Sequence, residues 1–514
     1  MRRRVTAAIG LAVAATFALP FVYLVRRAGG DPGATWDALF DEQTRGPLWR
    51  TIQLMVLVSI TTAVLGVGLA WLTVRTDVPG RRVWRVTAAL PLVIPSFVGA
   101  AAWVLTFERG GLVDEWFGIS SLPDVRGLRG AAVVLTLFSY PYVYLPVAAR
   151  LATLPPSLEE SARLLGRSPW YSFRHIVLPQ CWPAIAAGVL FVALYTVSDF
   201  GAVQFVGYDT LTRRLFANQL RQPDVATAMG LLLAALALTI TLAERAVVRR
   251  ARPTAGVGSR RALLVPLGRW RWAALAAVVA STVASLLGPV GVLVWWVVRG
   301  LRTGAARSVS PDLVGPAWSS IQAGLAAALT AVVVVLPLAL LTVRQRNRTA
   351  GAAGVLVVAG FALPGLVTAF AVALAVRGTP LYFTFPVLIA AYVLHFGGQA
   401  LRSAQSAVTA VPARLGEAAR LLGAPWWRRL LRVELPLMLP GLAAGGGLVL
   451  LSVLKELPIT LVLRPTDMTT LAQRIFATYE EALRVDAGLA SLVLIGLSAV
   501  LTWLLVIRRM QHLR

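Results

Sequence analysis

Residues 159–179 read EESARLLGRSPWYSFRHIVLP, and residues 416–436 read GEAARLLGAPWWRRLLRVELP. They are two copies of one stretch, half a chain apart. Glu417 follows Glu160 by 257 residues, and Gly423 and Pro436 follow Gly166 and Pro179 by the same interval. Other pairs surround them. Thr51-Ile-Gln and Ser320-Ile-Gln, Leu72-Thr-Val-Arg75 and Leu341-Thr-Val-Arg344, and Pro95 and Pro364 recur at an interval of 269. Thr210-Leu-x-x-Arg-Leu-Phe-Ala217 matches Thr470-Leu-x-x-Arg-Ile-Phe-Ala477. The interval shortens because the first copy has extra residues around 108–128. Self-similarity on this scale makes the chain a duplication of one unit.

The residues around the repeat are those of a membrane. Of the 514 residues 57% are hydrophobic and only 14% charged, with a mean hydropathy of +0.73. A soluble domain carries about 25% charged residues. A helix needs about 20 apolar residues to cross a bilayer. Windows of that length fall at 5–26, 50–74, 86–107, 130–150, 183–205, 226–246, 272–298, 320–343, 352–376, 381–401, 437–461 and 487–507. The expected fold is therefore an all-α polytopic membrane protein of about 12 transmembrane helices. They form two parallel six-helix repeats, 1–247 and 272–514, joined by a linker at 248–271. Six spans is an even number, so the copies sit the same way up, related by a pseudo-twofold along the membrane normal. Short alternating stretches, the mark of a spanning β-barrel, are absent.

The net charge of +26 raises the question of nucleic acid, but its placement answers it. Arg2 to Arg4, Arg81, Arg82, the arginines from Arg245 to Arg271, Arg344 to Arg348, and Arg508, Arg509 and Arg514 fall in alternate loops. Asp31, Asp37, Asp41 and Glu42 lie in an intervening one. This is the positive-inside pattern. It predicts both termini in the cytoplasm and no nucleic-acid partner. The apolar run after Met1 is longer than a signal core, so it reads as a retained first span. The single cysteine, Cys181, allows no disulfide framework.

The repeated loop is more ordered than a connector. Pro155-Pro156 ends the preceding helix. Ser157 and Glu160 make a Ser-x-x-Glu capping box, Gly166 can adopt the left-handed turn that stops the helix, and Ser168-Pro169 opens a second one. Arg414 stands where Ser157 does, so the second copy lacks that cap. Ala162 and Ala419 are small enough for close approach by a partner. Arg163, Arg167, Arg420, Glu160 and Glu417 add polar specificity.

Glu-x-Ala-x-x-x-Gly followed after nine residues by Ile/Val-x-Leu-Pro resembles the EAA loop of ABC importer permeases. It stands at Glu160, Ala162, Gly166, Ile176, Leu178 and Pro179, and again at Glu417, Ala419, Gly423, Val433, Leu435 and Pro436. The resemblance implies that 157–179 and 414–436 are coupling loops docking two ABC ATPase subunits. It also implies an external solute-binding protein, a bacterial inner-membrane location and alternating access. No Gly-x-x-x-x-Gly-Lys-Ser/Thr phosphate loop is present, and the one lysine, Lys455, sits in Lys-Glu-Leu-Pro. ATP hydrolysis is therefore expected of partner subunits, with no cofactor in this chain.

For the substrate, Arg75-Thr-Asp-Val-Pro-Gly-Arg-Arg82, Ser198-Asp-Phe-Gly-Ala-Val203 and Lys455-Glu-Leu-Pro-Ile-Thr460 resemble the fused ferric-iron permeases. Thiamine, phosphonate and polyamine permeases are alternatives. Asp199 and Glu456 are equivalent carboxylates at or near the ends of spans, where a charge is costly and often functional. They could flank a translocation path, or be helix-end residues near the outer surface. His395 reads as a packed residue rather than a ligand, and Tyr140, Tyr142 and Tyr144 as packing aromatics rather than oxygen donors. No cluster has metal-site spacing. A secondary transporter of the major-facilitator type shares the six-plus-six layout. It does not account for the ordered loop occurring twice, and Thr73 stands where its loop signature wants Gly.

Overall fold

The computed structural model describes residues 2–119, 125–155, 157–250, 264–303, 312–344 and 348–504. Among them the regular elements are all helices, joined by turns and irregular segments, with one isolated bridge between Thr76 and Val265. Among the described residues nine helices are long and apolar enough to cross a membrane, or eleven when each of two bent pairs is taken as one span. Phe385–Ala410 has a span's length at 26 residues. It falls short in hydropathy because His395, Gln399 and Arg402 interrupt it. The described residues thus hold nine to eleven candidate spans against the expected twelve.

Two expected spans are bent rather than straight. Arg81–Val93 meets Ser96–Phe117 at 95°, and Ala350–Ala362 meets Gly365–Val376 at 104°. The breaks fall at Ile94-Pro95 and Leu363-Pro364. Proline has no amide donor, and it forces the residue before it into extended backbone; Ile94 accordingly has φ −85° and ψ 121°. Pro95 and Pro364 then serve as the N-caps of the following helices. The spans placed at 183–205 and 437–461 are likewise interrupted. Leu178–Ser198 stops at Asp199 before the short helix Gly201–Val206. Leu435–Leu454 stops before Pro458–Leu463.

The two matching motif pairs in the sequence turn out to hold one another. The buried Thr51 hydroxyl donates to the Pro47 carbonyl (2.8 Å) and accepts the Leu211 amide (2.9 Å). In the second copy the Ser320 hydroxyl donates to the Pro316 carbonyl and accepts the Leu471 amide, both at 2.8 Å. A hydroxyl thus bonds the first amide of the following helix, one that no helical carbonyl can reach.

The residues group into two compact units that cut across the sequence repeat. One holds 1–38, 218–234 and 304–514; the other holds 39–217 and 235–303. In the first unit, helix Arg2–Gly30 packs on second-copy helices. Phe17 is buried against Gly397, where an added Cβ would lie 2.3 Å from its ring, and the Tyr23 hydroxyl donates to the Leu374 carbonyl at 2.9 Å. In the second unit, Gly288–Arg302 packs on Ser96–Phe107. Arg299 there pairs with Glu115 at 2.5 Å and donates to the Gly110 carbonyl at 3.2 Å. The first span of each sequence repeat therefore lies with helices of the other repeat. Residues 251–263 of the linker, and the arginines within them, lie outside the described residues, as do Arg346 and residues 505–514.

Replacing Thr51 by Val keeps the shape but leaves the Leu211 amide without its acceptor. T51V and S320A are each expected to cost about 1–3 kcal/mol, and T51S far less. Thermal unfolding of the purified chain in detergent checks this.

Candidate functional site

Each copy of the loop is a helix, a glycine turn and a second helix that continues into a span. The first copy runs Ser157–Leu164, Gly166, Pro169–Ser172 and Leu178–Ser198. The second runs Ala413–Leu421, Gly423, Trp426–Arg429 and Leu435–Leu454. Gly166 has φ 71° and Gly423 φ 77°, the left-handed region where a side chain is strained. Around them the chain closes a Schellman turn. The Arg167 amide donates to the Ala162 carbonyl and the Ala424 amide to the Ala419 carbonyl, both at 3.0 Å. The second loop helix has Pro412 at its N-cap and no side-chain cap, in keeping with Arg414 at the position of Ser157. The side chains of Ser157 and Arg163 lie outside the description.

Both loops enter their span through a π-helical turn, Phe173–Val177 and Leu430–Glu434. The Leu178 amide donates to the Phe173 carbonyl and the Leu435 amide to the Leu430 carbonyl, five residues back. The cause is the next residue. Pro179 and Pro436 carry no amide, and in a regular α-turn their rings would press on the carbonyl four residues earlier. The wider turn removes that clash. π-Turns are rare, and are frequent at functional sites.

Side-chain direction divides the loop residues. Glu160, Gly166, Pro179, Glu417, Gly423 and Pro436 are all exposed. Ala162 is not: it is buried against its own chain, while Ala419 is half-buried. Its small size lets it pack within the chain. The residues that sequence reasoning passed over are the leucines beside the glycine. Leu164 and Leu165 are 89% and 79% exposed, and Leu421 and Leu422 are 89% and 87% exposed. Trp170, Trp426 and Trp427 stand exposed close by in sequence. The signal was present as Leu-Leu-Gly in both copies, but an apolar pair in a last helical turn reads as core until its direction is known.

The two carboxylates considered for a pathway cap broken helices. Asp199 accepts the Ala202 amide at 2.9 Å and the Ser96 hydroxyl at 2.5 Å, and is itself buried. Glu456 accepts the Ile459 amide at 3.2 Å. Gly365 stands where the first copy has Ser96, and a Cβ there would lie 2.7 Å from Glu456 Oε1. The longer acid thus uses the space that serine occupies in the first copy. The two acids lie in different compact units. His395 is buried beside Phe361 and Phe396. Tyr144 is buried, with its hydroxyl 3.1 Å from both the Arg85 carbonyl and the Thr73 hydroxyl. Tyr142 packs on Phe191 and Tyr195. Among the described residues no group of three or more His, Cys, Asp or Glu is placed to hold a metal ion.

The family model described as "Binding-protein-dependent transport system inner membrane component" matches residues 62–253 and again 336–513. The chain belongs to this family. Each match contains one of the two loops, so the duplication is of a whole family unit, and the chain is a fused permease that crosses the inner membrane many times. It is 31% identical over 95% of its length, and 95% of the relative's, to "Fe(3+)-transport system permease protein FbpB 2" of Haemophilus influenzae. It is 25% identical over 90% of its length, and 87% of the relative's, to "Probable ABC transporter permease protein y4fN" of Sinorhizobium fredii. "Sulfate transport system permease protein CysT" of Escherichia coli is 30% identical over 33% of this chain and 62% of its own.

An alanine at either left-handed glycine is expected to cost about 1–2 kcal/mol. In G166A and G423A the amides of Arg167 and Ala424 should exchange faster than in the parent, by hydrogen–deuterium exchange, with the spanning helices unchanged.

Proposed function

We propose that this chain forms the translocation path of an ATP-driven importer of ferric iron, and that loops 157–179 and 414–436 each dock one ABC ATPase subunit. The observation that carries the docking role is the exposed leucine pair beside an exposed glutamate, held by the same glycine turn in both copies. Apolar side chains gain about 1.5–3 kcal/mol each when buried, and their exposure at the same place in both copies supports an interaction site there. Leu164, Leu165, Leu421 and Leu422 would be the apolar anchors, with Glu160 and Glu417 the polar rim. Gly166, Gly423, Pro179 and Pro436 hold the loop in shape, and Ala162 and Ala419 support it from behind.

In this reading the loops and both termini are cytoplasmic, as the arginine pattern requires. An external solute-binding protein delivers the substrate. Closure of the ATPase pair moves the loops and opens the path outward, and hydrolysis resets it. ATP hydrolysis falls to the ATPase subunits in this reading, since the chain carries no phosphate loop. Asp199 and Glu456, as caps of broken helices, would border the path where helical breaks let side chains and backbone face it.

Iron as substrate is supported by the iron-permease relative, which matches nearly the full chain. Sulfate is the second reading, because the sulfate permease relative aligns with a third of it. Uptake of radioactive ferric iron and of sulfate by a deletion strain, with and without this chain, separates them. Iron uptake should fall severalfold in the deletion and return with the gene; loss of sulfate uptake alone would reverse the assignment. For docking, L164S/L165S should weaken ATPase association by about 3 kcal/mol, roughly a hundredfold, and E160K/E417K should abolish import while the chain still inserts. Co-purification and uptake assays read both.

A further inference from the structure

The long span of each copy, Glu42–Arg75 and Val314–Arg344, ends on an arginine that faces its loop. In the first copy Arg75 is fully buried and pairs with Glu159, itself nearly fully buried in the loop helix. In the second copy Arg344 lies 3.9 Å from Glu434, which also pairs with Arg429 at 3.1 Å. Arg75 and Arg344 are equivalent by the repeat. Their acids are not: Glu159 aligns with Gly416, and Glu434 aligns with Val177.

The two differences complement each other. Where the second copy loses the loop-helix carboxylate it has glycine, and a Cβ on Gly416 would lie 2.9 Å from Glu434 Oε1. The Glu434 carboxylate therefore occupies ground that a side chain at 416 would need. Where the first copy lacks the second acid it has Val177, which is 1% exposed, at the matching end of the π-turn. Each position alone looks like the loss of an acid in one copy. Taken together, one carboxylate has changed its place of attachment and kept its partner.

We infer that the Arg75–Glu159 and Arg344–Glu434 pairs are tethers that fix each loop to the end of its long span, with the acid supplied by the loop helix in one copy and by the π-turn in the other. This rests on the docking role proposed for the loops. A tether at this point makes the long span follow the loop, where an untied loop would absorb the movement in its own hinges. The first tether is buried and the second is partly open, with Arg344 28% exposed. The first loop is thus held more tightly. Glu159 and Glu434 are positioning residues; they turn inward, away from the exposed Leu164–Leu165 and Leu421–Leu422 faces.

The test moves the carboxylate. A spin label at L165C in the purified full chain reports loop order without any ATPase. E159Q is expected to raise the label's mobility at least threefold. E159G should do the same, and E159G/V177E, which copies the second loop's arrangement, should return it to within a factor of 1.5 of the parent. In the assembled importer, with ferric iron as the probe, E159Q should raise the ATP hydrolysed per ion imported at least threefold, and E159G/V177E should restore the ratio. A role in folding alone would lower the amount of protein and leave that ratio unchanged. Parent-like mobility in E159Q, or failure of V177E to re-order an E159G chain whose thermal midpoint is intact, overturns the inference. If E159G does not fold, E434V and E434V/G416E with the label at L422C give the same comparison in the second copy. Normal import by L164S/L165S together with a disordered E159Q loop would defeat the docking role and leave the tether standing.

Discussion

A backbone amide in the apolar part of a membrane protein has no water to bond, so every interruption of a helix must be satisfied by the chain itself. The helical breaks in this structure follow that constraint. Pro95 and Pro364 begin helices where no donor is lost. Asp199 and Glu456 accept amides in the first turns of the short helices Gly201–Val206 and Pro458–Leu463, which follow where Leu178–Ser198 and Leu435–Leu454 stop. The hydroxyls of Thr51 and Ser320 accept the first amides of helices Leu211–Asn218 and Leu471–Glu480. Polar residues that look out of place in an apolar sequence are what let its helices stop and turn. The carboxylates at 199 and 456 are therefore structural first, whatever they also contribute to a path.

The loops answer the opposite constraint. Outside the membrane the backbone can bond water, and it is apolar side chains that need cover. Four leucines are left nearly fully exposed, and each pair is held beside a left-handed glycine that no other residue adopts as easily. Proline behind each loop forces the π-turn, and the arginine at the end of each long span pairs with a carboxylate of the loop. A rigid loop with an apolar tip can transmit force in a way a flexible connector cannot.

Much of this was legible in the sequence. The duplication was read from Glu160 and Glu417, Gly166 and Gly423, Thr51 and Ser320, because each is a local requirement of cap, turn or helix start that repeats with its neighbours. The glycine turns, the second copy's missing cap and the helical membrane fold follow from such local rules. Pairings between distant residues were not legible. Nothing in Phe17 announces Gly397 as its partner, since apolar packing in a membrane carries no polar pattern. The bends at Pro95 and Pro364 were hidden because hydropathy runs through them unbroken. The burial of Ala162 was hidden because size says nothing of direction. The pairing of Arg75 with Glu159 and of Arg344 with Glu434 was hidden because Gly416 and Val177, each judged alone, look like simple losses.

The central claim is that the two leucine-bearing loops are where energy enters. Cys181 is the only cysteine and is buried, so thiols introduced as L164C and L421C would be the reactive ones. The direct measurement is their maleimide labelling rate in the purified chain and in the chain assembled with its ATPase subunits. Both thiols should label freely in the chain alone and at least tenfold more slowly in the complex. Equal rates in the two states at both positions would contradict the account.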